Sequence, residues 1–316
     1  MHDVTALSVV GAGAMGHGLA VHCALAGLDV TLVDHRQANL DTARDRFGEA
    51  VTFLASEGLI GTDPETALDR VDFTLGLTTG VADADVVVET VSEDLDTKRD
   101  VFERLATATS DAVLASNTSG LSIDDIAEAV PDAAGRVAGC HWWYPPYLLR
   151  PVEVVRGTHT TDETVERLCA FVEGVDRDPV LVERDVPGFV WNRVQFAVVR
   201  ECLHLVSEGV ASVEDVDRAV RDGYATRTAA IGPFETMDIA GLDLFQTIAE
   251  GLFPHLADDD GPGDPLAERV REGRTGIDTG AGFFDYDDAP ETVTRRRDER
   301  VAAIQRALRD DEASSR

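Results

Sequence analysis

Short apolar runs separated by amphipathic stretches organise the first part of the chain. LSVVGA, DVTLVD, VDFTL, DVVVETV, AVLASN, RVAGCHW and PVEVV are dense in β-branched residues and short enough to be strands. Between most of them, as from Leu40 to Leu54 and from Lys98 to Ala108, apolar residues return at three- and four-residue spacings, the period of a helix laid on a sheet. Alternation of the two patterns predicts an α/β fold built on a doubly wound parallel sheet. After Val182 the texture changes. From Pro187 onward the pattern is mainly helical, led by FVWNRVQFAVVRECLHLV, with Gly209, Gly223 and Gly232 punctuating the later helices. A chain of 316 residues exceeds the usual size of one core, so two domains are expected: a sheet domain over 1–185 and an all-α domain over 186–316.

The turn after the first strand carries chemistry. LSVVGAGAMGHG sets Gly11, Gly13 and Gly16 in the G-x-G-x-x-G spacing, with Ala14 and Met15 between the last two, where a strand gives way to a helix. Such glycines allow a tight turn, close approach of backbone to pyrophosphate and close packing of helix on strand, while the helix N-terminus offers free N–H groups to an anion. The next strand ends at Asp34, about 20 residues past the second glycine, placed to accept from a ribose 2′-hydroxyl and to repel a 2′-phosphate. A Rossmann-type domain that binds NAD rather than NADP is expected.

Charge narrows the partners. Lys+Arg 28 against Asp+Glu 59 leaves a formal charge of −31, which repels nucleic acid and anionic membranes. Lys98 is the only lysine, and the carboxylates spread over both halves, a pattern expected of a halophilic protein whose surface stays hydrated in concentrated salt. No apolar run reaches the 18 or so residues of a membrane span. The opening MHDVTALSVV passes directly toward a strand without a signal-like leader, and a cytoplasmic location is expected. Cys23, Cys140, Cys169 and Cys202 include no C-x-x-C pair, so neither a disulfide framework nor a metal site is indicated.

Further motifs join the glycine turn in order: VVVETVSEDLDTKRDVF, ASNTSGLSI, GCHWWYPP with PVEVV, VPGFVWNRV, IGPFETMDIAGLD and GRTGIDTGAGFFDY. Together they make the chain resemble the L-3-hydroxyacyl-CoA dehydrogenase family from about Leu7 to Tyr286. The resemblance implies a catalytic pair, His141 and Glu153. Oxidising a hydroxyl to a ketone needs such a pair, because hydride leaves carbon only as the hydroxyl proton passes to a base, and a carboxylate fixes the imidazole tautomer. It further implies that Ser119 and Asn192 orient the substrate, and that Glu93 and Lys98 lie near the cofactor ribose, the lysine also near CoA. The alternative for Ser119 is a cap on the helix beginning near Ile123, and for Asn192 a bond to backbone. A homodimer, paired through the helical domain, comes from the resemblance alone.

The expected reaction is therefore reversible, NAD-dependent oxidation of an (S)-3-hydroxyacyl-CoA, short in its acyl chain. Three departures bear on it. Tyr144 stands where the family has Asn, Asp278 where it often has Lys, and the Leu40–Leu59 region, which carries CoA contacts in the family, offers Arg44, Arg46 and Ser56 alongside Glu49 and Glu57. GFVWNRVQFAVV and AAIGPFETMD are also similar to the lambda-crystallin and gulonate 3-dehydrogenase branch, and SNTSGL and YPPYLL to carnitine dehydrogenase. A free 3-hydroxy acid is thus the alternative substrate, and a non-catalytic NAD-binding structural protein the remote alternative.

Overall fold

In the computed structural model, which describes residues 4–314 with side chains through 308, the β-branched runs pair into one eight-stranded sheet. Its strands are β1 (Ala6–Val10), β2 (Asp29–Val33), β3 (Val71–Thr74), β4 (Val86–Glu89), β5 (Val113–Ser116), β6 (Val137–Trp142), β7 (Pro151–Val155) and β8 (Asp178–Val182), in the order β3-β2-β1-β4-β5-β6-β7-β8. The order reverses direction between β1 and β4, so a crevice opens beyond their carboxyl ends, the place where such sheets receive ligands. β8 was not among the predicted strands. It is an edge strand, and Pro179 and a half-exposed Leu181 break the apolar run that marks the others.

The sheet is mixed rather than wholly parallel. β6 and β7 pair antiparallel, and β8 runs parallel to β7. Only residues 143–150 join β6 to β7, too few for the crossover that a parallel pair requires.

Helices α1 (Ala14–Leu25), α2 (Gln37–Ser56), α3 (Pro64–Leu68), α4 (Leu77–Val81), α5 (Leu95–Ala108), α6 (Ile123–Ala127) and α7 (Asp162–Gly174) cover both faces. Alternation along β4 shows why both are apolar: Val86 and Val88 join one core with Leu19, Phe47 and Phe171, whereas Val87 joins the other with Phe102, Leu105 and Ile126.

The chain divides into two compact units. The first runs through Arg193 and takes in Asp298–Ala307; the second covers Val194–Arg297. α8 (Trp191–Ser207) crosses that division, followed by α9 (Val213–Arg218), α10 (Thr226–Ala230), α11 (Pro233–Ala240), α12 (Leu242–Leu252), α13 (Gly263–Arg271) and α14 (Pro290–Ser314). Taken by itself, the second unit leaves large apolar side chains open, among them Phe196, Phe234, Ile239, Leu242, Leu252 and Phe253. No helix among the described residues is long and apolar enough to cross a membrane.

Candidate active site

The three glycines divide the labour expected of them. Gly11 turns the chain at φ +110°, and a Cβ there would meet the Thr90 carbonyl oxygen at 2.8 Å; one at Gly16 would lie 1.8 Å from the Gly11 carbonyl oxygen. Gly13 has nothing within 4 Å of that position, so the backbone is open to a ligand there. Thr90 Oγ1 donates to the Gly11 carbonyl at 2.8 Å and holds the turn. No side chain caps α1 at Gly13, so the N-terminal N–H groups around Ala14, Met15 and Gly16 are available to a phosphate.

Asp34, buried just past β2, is aimed by its neighbours. Its Oδ2 accepts from the Ala12 N–H at 2.9 Å, and its Oδ1 from the Arg36 N–H at 2.9 Å and Asn39 Nδ2 at 3.0 Å. Gly11, Gly13, Asp34, Arg36, Thr90 and Val101 line a cleft of about 610 Å³ beside it. An anion-binding helix end next to a fixed carboxylate suits the pyrophosphate and ribose of a dinucleotide.

His141 and Glu153 face one another directly across the β6–β7 ladder, which puts both side chains on one face. Nδ1–H of His141 donates to Glu153 Oε2 at 2.7 Å, leaving Nε2 as the ring's open acceptor. Glu153 is wholly buried and its four contacts are all donors. Oε1 accepts the N–H groups of Val190 and Trp191 at 2.7 and 2.9 Å, and Oε2 also accepts the Trp143 indole at 3.4 Å. Burial alone would push this carboxyl up, but the bonds from His141, Trp191 and Val190 outweigh it and hold the group below its ordinary value.

The two N–H groups reach Glu153 because Gly188 and Phe189 both adopt positive φ, 81° and 50°. For a bulky residue such as Phe189 that conformation is strained, and its ring, 1% exposed, packs 5.7 Å from the His141 ring. Trp143 and Trp191 stack at 3.9 Å between centroids, which fixes the second donor segment against the first. Sequence reasoning passed over Trp143, Val190 and Trp191, two of which act through backbone. Tyr144 follows, 46% exposed.

Ser119 and Asn192 come together: Asn192 Nδ2 donates to the Ser119 carbonyl at 2.8 Å. Ser119 does not cap α6. Ser122 does, accepting from the Asp125 N–H. The Ser119 N–H instead donates to Glu93 Oε1 at 2.7 Å.

Lys98, which the resemblance puts near the cofactor ribose and CoA, is bound within the protein. It is 1% exposed, and Nζ donates to both oxygens of Glu89, at 2.8 and 3.0 Å, with Glu93 at 3.3 Å. Glu89, unremarked in the sequence, is the buried end of β4; burial drives its carboxyl upward against the pull of Lys98, Ser116 and Val91. Asn117 was equally unremarked and accepts from the Trp142 N–H at 2.8 Å, fixing the strand beside His141.

Two family models match the chain: 3-hydroxyacyl-CoA dehydrogenase, NAD binding domain, over residues 6–186, and 3-hydroxyacyl-CoA dehydrogenase, C-terminal domain, over 188–286. A 5-formyl-3-hydroxy-2-methylpyridine 4-carboxylate 5-dehydrogenase of Mesorhizobium japonicum is 33% identical over 96% of this chain and 97% of its own. A probable 3-hydroxybutyryl-CoA dehydrogenase of Deinococcus radiodurans is 36% identical over 88% of this chain and 99% of its own. Among solved structures, a 5-formyl-3-hydroxy-2-methylpyridine 4-carboxylic acid 5-dehydrogenase, an NAD+ dependent dismutase, superposes with a TM-score of 0.89 at 32% identity, covering 97% of this chain and 99% of that one.

Proposed function

The chain belongs to the 3-hydroxyacyl-CoA dehydrogenase family of NAD-dependent oxidoreductases, and from that premise we propose that it oxidises the 3-hydroxyl of an (S)-3-hydroxyacyl-CoA, reversibly, with His141 as the base. The observation that carries the reading is the His141–Glu153 bond of 2.7 Å inside a carboxylate cage that accepts two further backbone N–H groups. The turn through Gly11, Gly13 and Gly16 and the Asp34 carboxylate would hold NAD, which would supply the acceptor for the hydride leaving C3. His141 Nε2 takes the hydroxyl proton, and Glu153, held as a carboxylate, stabilises the imidazolium that results. Ser119 and Asn192 orient the substrate oxygen by neutral hydrogen bonds, which suit an atom whose charge changes during the step.

A specific observation favours a second substrate class, a free hydroxy acid. The exposed face of α2, where CoA phosphates would need cations, carries Asp41, Asp45 and Glu49. Arg44 lies over the Phe73 ring at 4.2 Å, and Ser56 turns back to the Phe53 carbonyl. Glu57 pairs with Arg306 at 2.8 Å. Arg46, like Arg44, is exposed. The Mesorhizobium relative, moreover, is named for a pyridine carboxylate and not for a CoA thioester. A side-by-side rate assay with NAD decides: 3-hydroxybutyryl-CoA is expected to outrun free 3-hydroxybutyrate, gulonate and carnitine. Inactivity on the thioester together with turnover of a free acid replaces the first reading by the second.

We read the working form as a homodimer in the cytoplasm of a salt-adapted cell. The open apolar side chains on α8, α11 and α12, among them Phe196, Phe234, Ile239 and Leu242, suit a second copy of the same surface. All four cysteines are free, and burial pushes the Cys140 thiol up to about 12, which fits inert side chains in a reducing compartment. With a formal charge of −31 the folded chain repels itself until salt screens it over roughly 3 Å at 1 M. The thermal midpoint should climb steeply with KCl; a midpoint indifferent to salt up to molar concentration removes the halophilic reading.

A further inference from the structure

We propose that Lys98 is a positioning residue: its buried ammonium joins Glu89 to Glu93 and through them fixes the backbone that presents Ser119. Each of its carboxylate partners grips the chain leaving β5. Glu89 Oε2 accepts from Ser116 Oγ at 2.7 Å, and Ser116 Oγ in turn accepts the Thr118 N–H at 3.2 Å. Glu93 Oε1 accepts from Thr118 Oγ1 at 2.6 Å and from the Ser119 N–H at 2.7 Å. Burial would raise the Glu93 carboxyl, yet Thr118, Lys98 and Ser119 pull it below its ordinary value, so it stays a charged acceptor for that loop.

Size accounts for the residue type. A compact ammonium donates in three directions and fits between two carboxylates in a space 1% exposed, whereas a planar guanidinium needs more room and a fixed fork. Every other basic side chain of Lys or Arg type in the chain is arginine, and the single lysine sits in this closed space between two carboxylates.

This assignment rests on the reading of Ser119 as a substrate-orienting residue, so the test carries a readout that needs no substrate. Lys98→Met alone strands the Glu89 carboxylate in the interior and is expected to lose stability. The informative protein is therefore the double variant Glu89→Gln with Lys98→Met, full length in molar KCl, in which both buried charges are gone. Its thermal midpoint is expected to return toward wild type, while exchange at the Ser119 amide quickens about tenfold, because Glu93, the acceptor of that amide, loses the ammonium that holds it in place. Turnover is expected to fall by a similar factor, with the KM for NAD within about twofold of wild type. Lys98→Arg should share the turnover loss. A folded double variant with wild-type protection at Ser119 overturns the positioning role whatever its activity. A wild-type enzyme inert on every hydroxy substrate overturns the functional reading and leaves the exchange result standing.

Discussion

Substituting glutamine for His141 lowers turnover by roughly 100- to 10,000-fold, the range of a positioned general base. The expectation follows from where the ring sits. Nδ1 is committed to Glu153, and Nε2 is the one nitrogen left to take a proton. The side chain is 7% exposed and packed on Phe189, so water cannot readily replace it as base. Glutamine retains an amide to bond Glu153, and the glycine turn that receives the cofactor is built from Gly11, Gly16 and Thr90 without help from His141. NAD affinity and the thermal midpoint should therefore stay close to wild type while kcat drops. A folded, NAD-binding His141→Gln protein with undiminished turnover would falsify the assignment of the base.

The parts of this site legible in the sequence are those made by side chains at regular spacing. Gly11, Gly13 and Gly16 could be read because sterics dictate glycine, and Asp34 because a strand end fixes its place. His141 and Glu153 were found together because the motifs around them resemble a family, and the structure supplies the physical reason for their separation: they are cross-strand partners in an antiparallel pair. What could not be read is what backbone and burial contribute. Val190 and Trp191 serve Glu153 through N–H groups that any residue carries, so no side chain marks them. Lys98 lies on an amphipathic helix whose polar positions ordinarily face water. Whether it turns inward depends on Glu89, at the end of strand β4, being aimed at it. β8 escaped notice because an edge strand with a proline lacks the continuous apolar run of its neighbours.

Glu153→Gln is the sharper test of how the pair works, because it changes almost no volume. The amide oxygen can go on accepting from Val190 and Trp191, so the turn through Gly188 and Phe189 has its partners. The other end of the side chain becomes a donor. His141 Nδ1 must then accept, the ring proton moves to Nε2, and the nitrogen facing substrate can no longer receive a proton. A loss of roughly 10,000-fold in kcat, the scale seen when a triad aspartate is made an amide, is the outcome expected at neutral pH. Stability should report the same charge with a defined sign. The folded carboxyl is held below its ordinary value, so its ionised form stabilises the wild type above the ordinary carboxylate range, about pH 4.3, and that contribution is lost as pH falls through the lower folded value. The variant lacks it, so its stability curve should lie below wild type at neutral pH and converge with it in acid. Because His141 and Glu153 act as one unit, the double variant His141→Gln with Glu153→Gln should be scarcely slower than His141→Gln alone. Losses that multiply instead would mean that the two residues act separately, and the carboxylate would then have no part in setting the tautomer of the base.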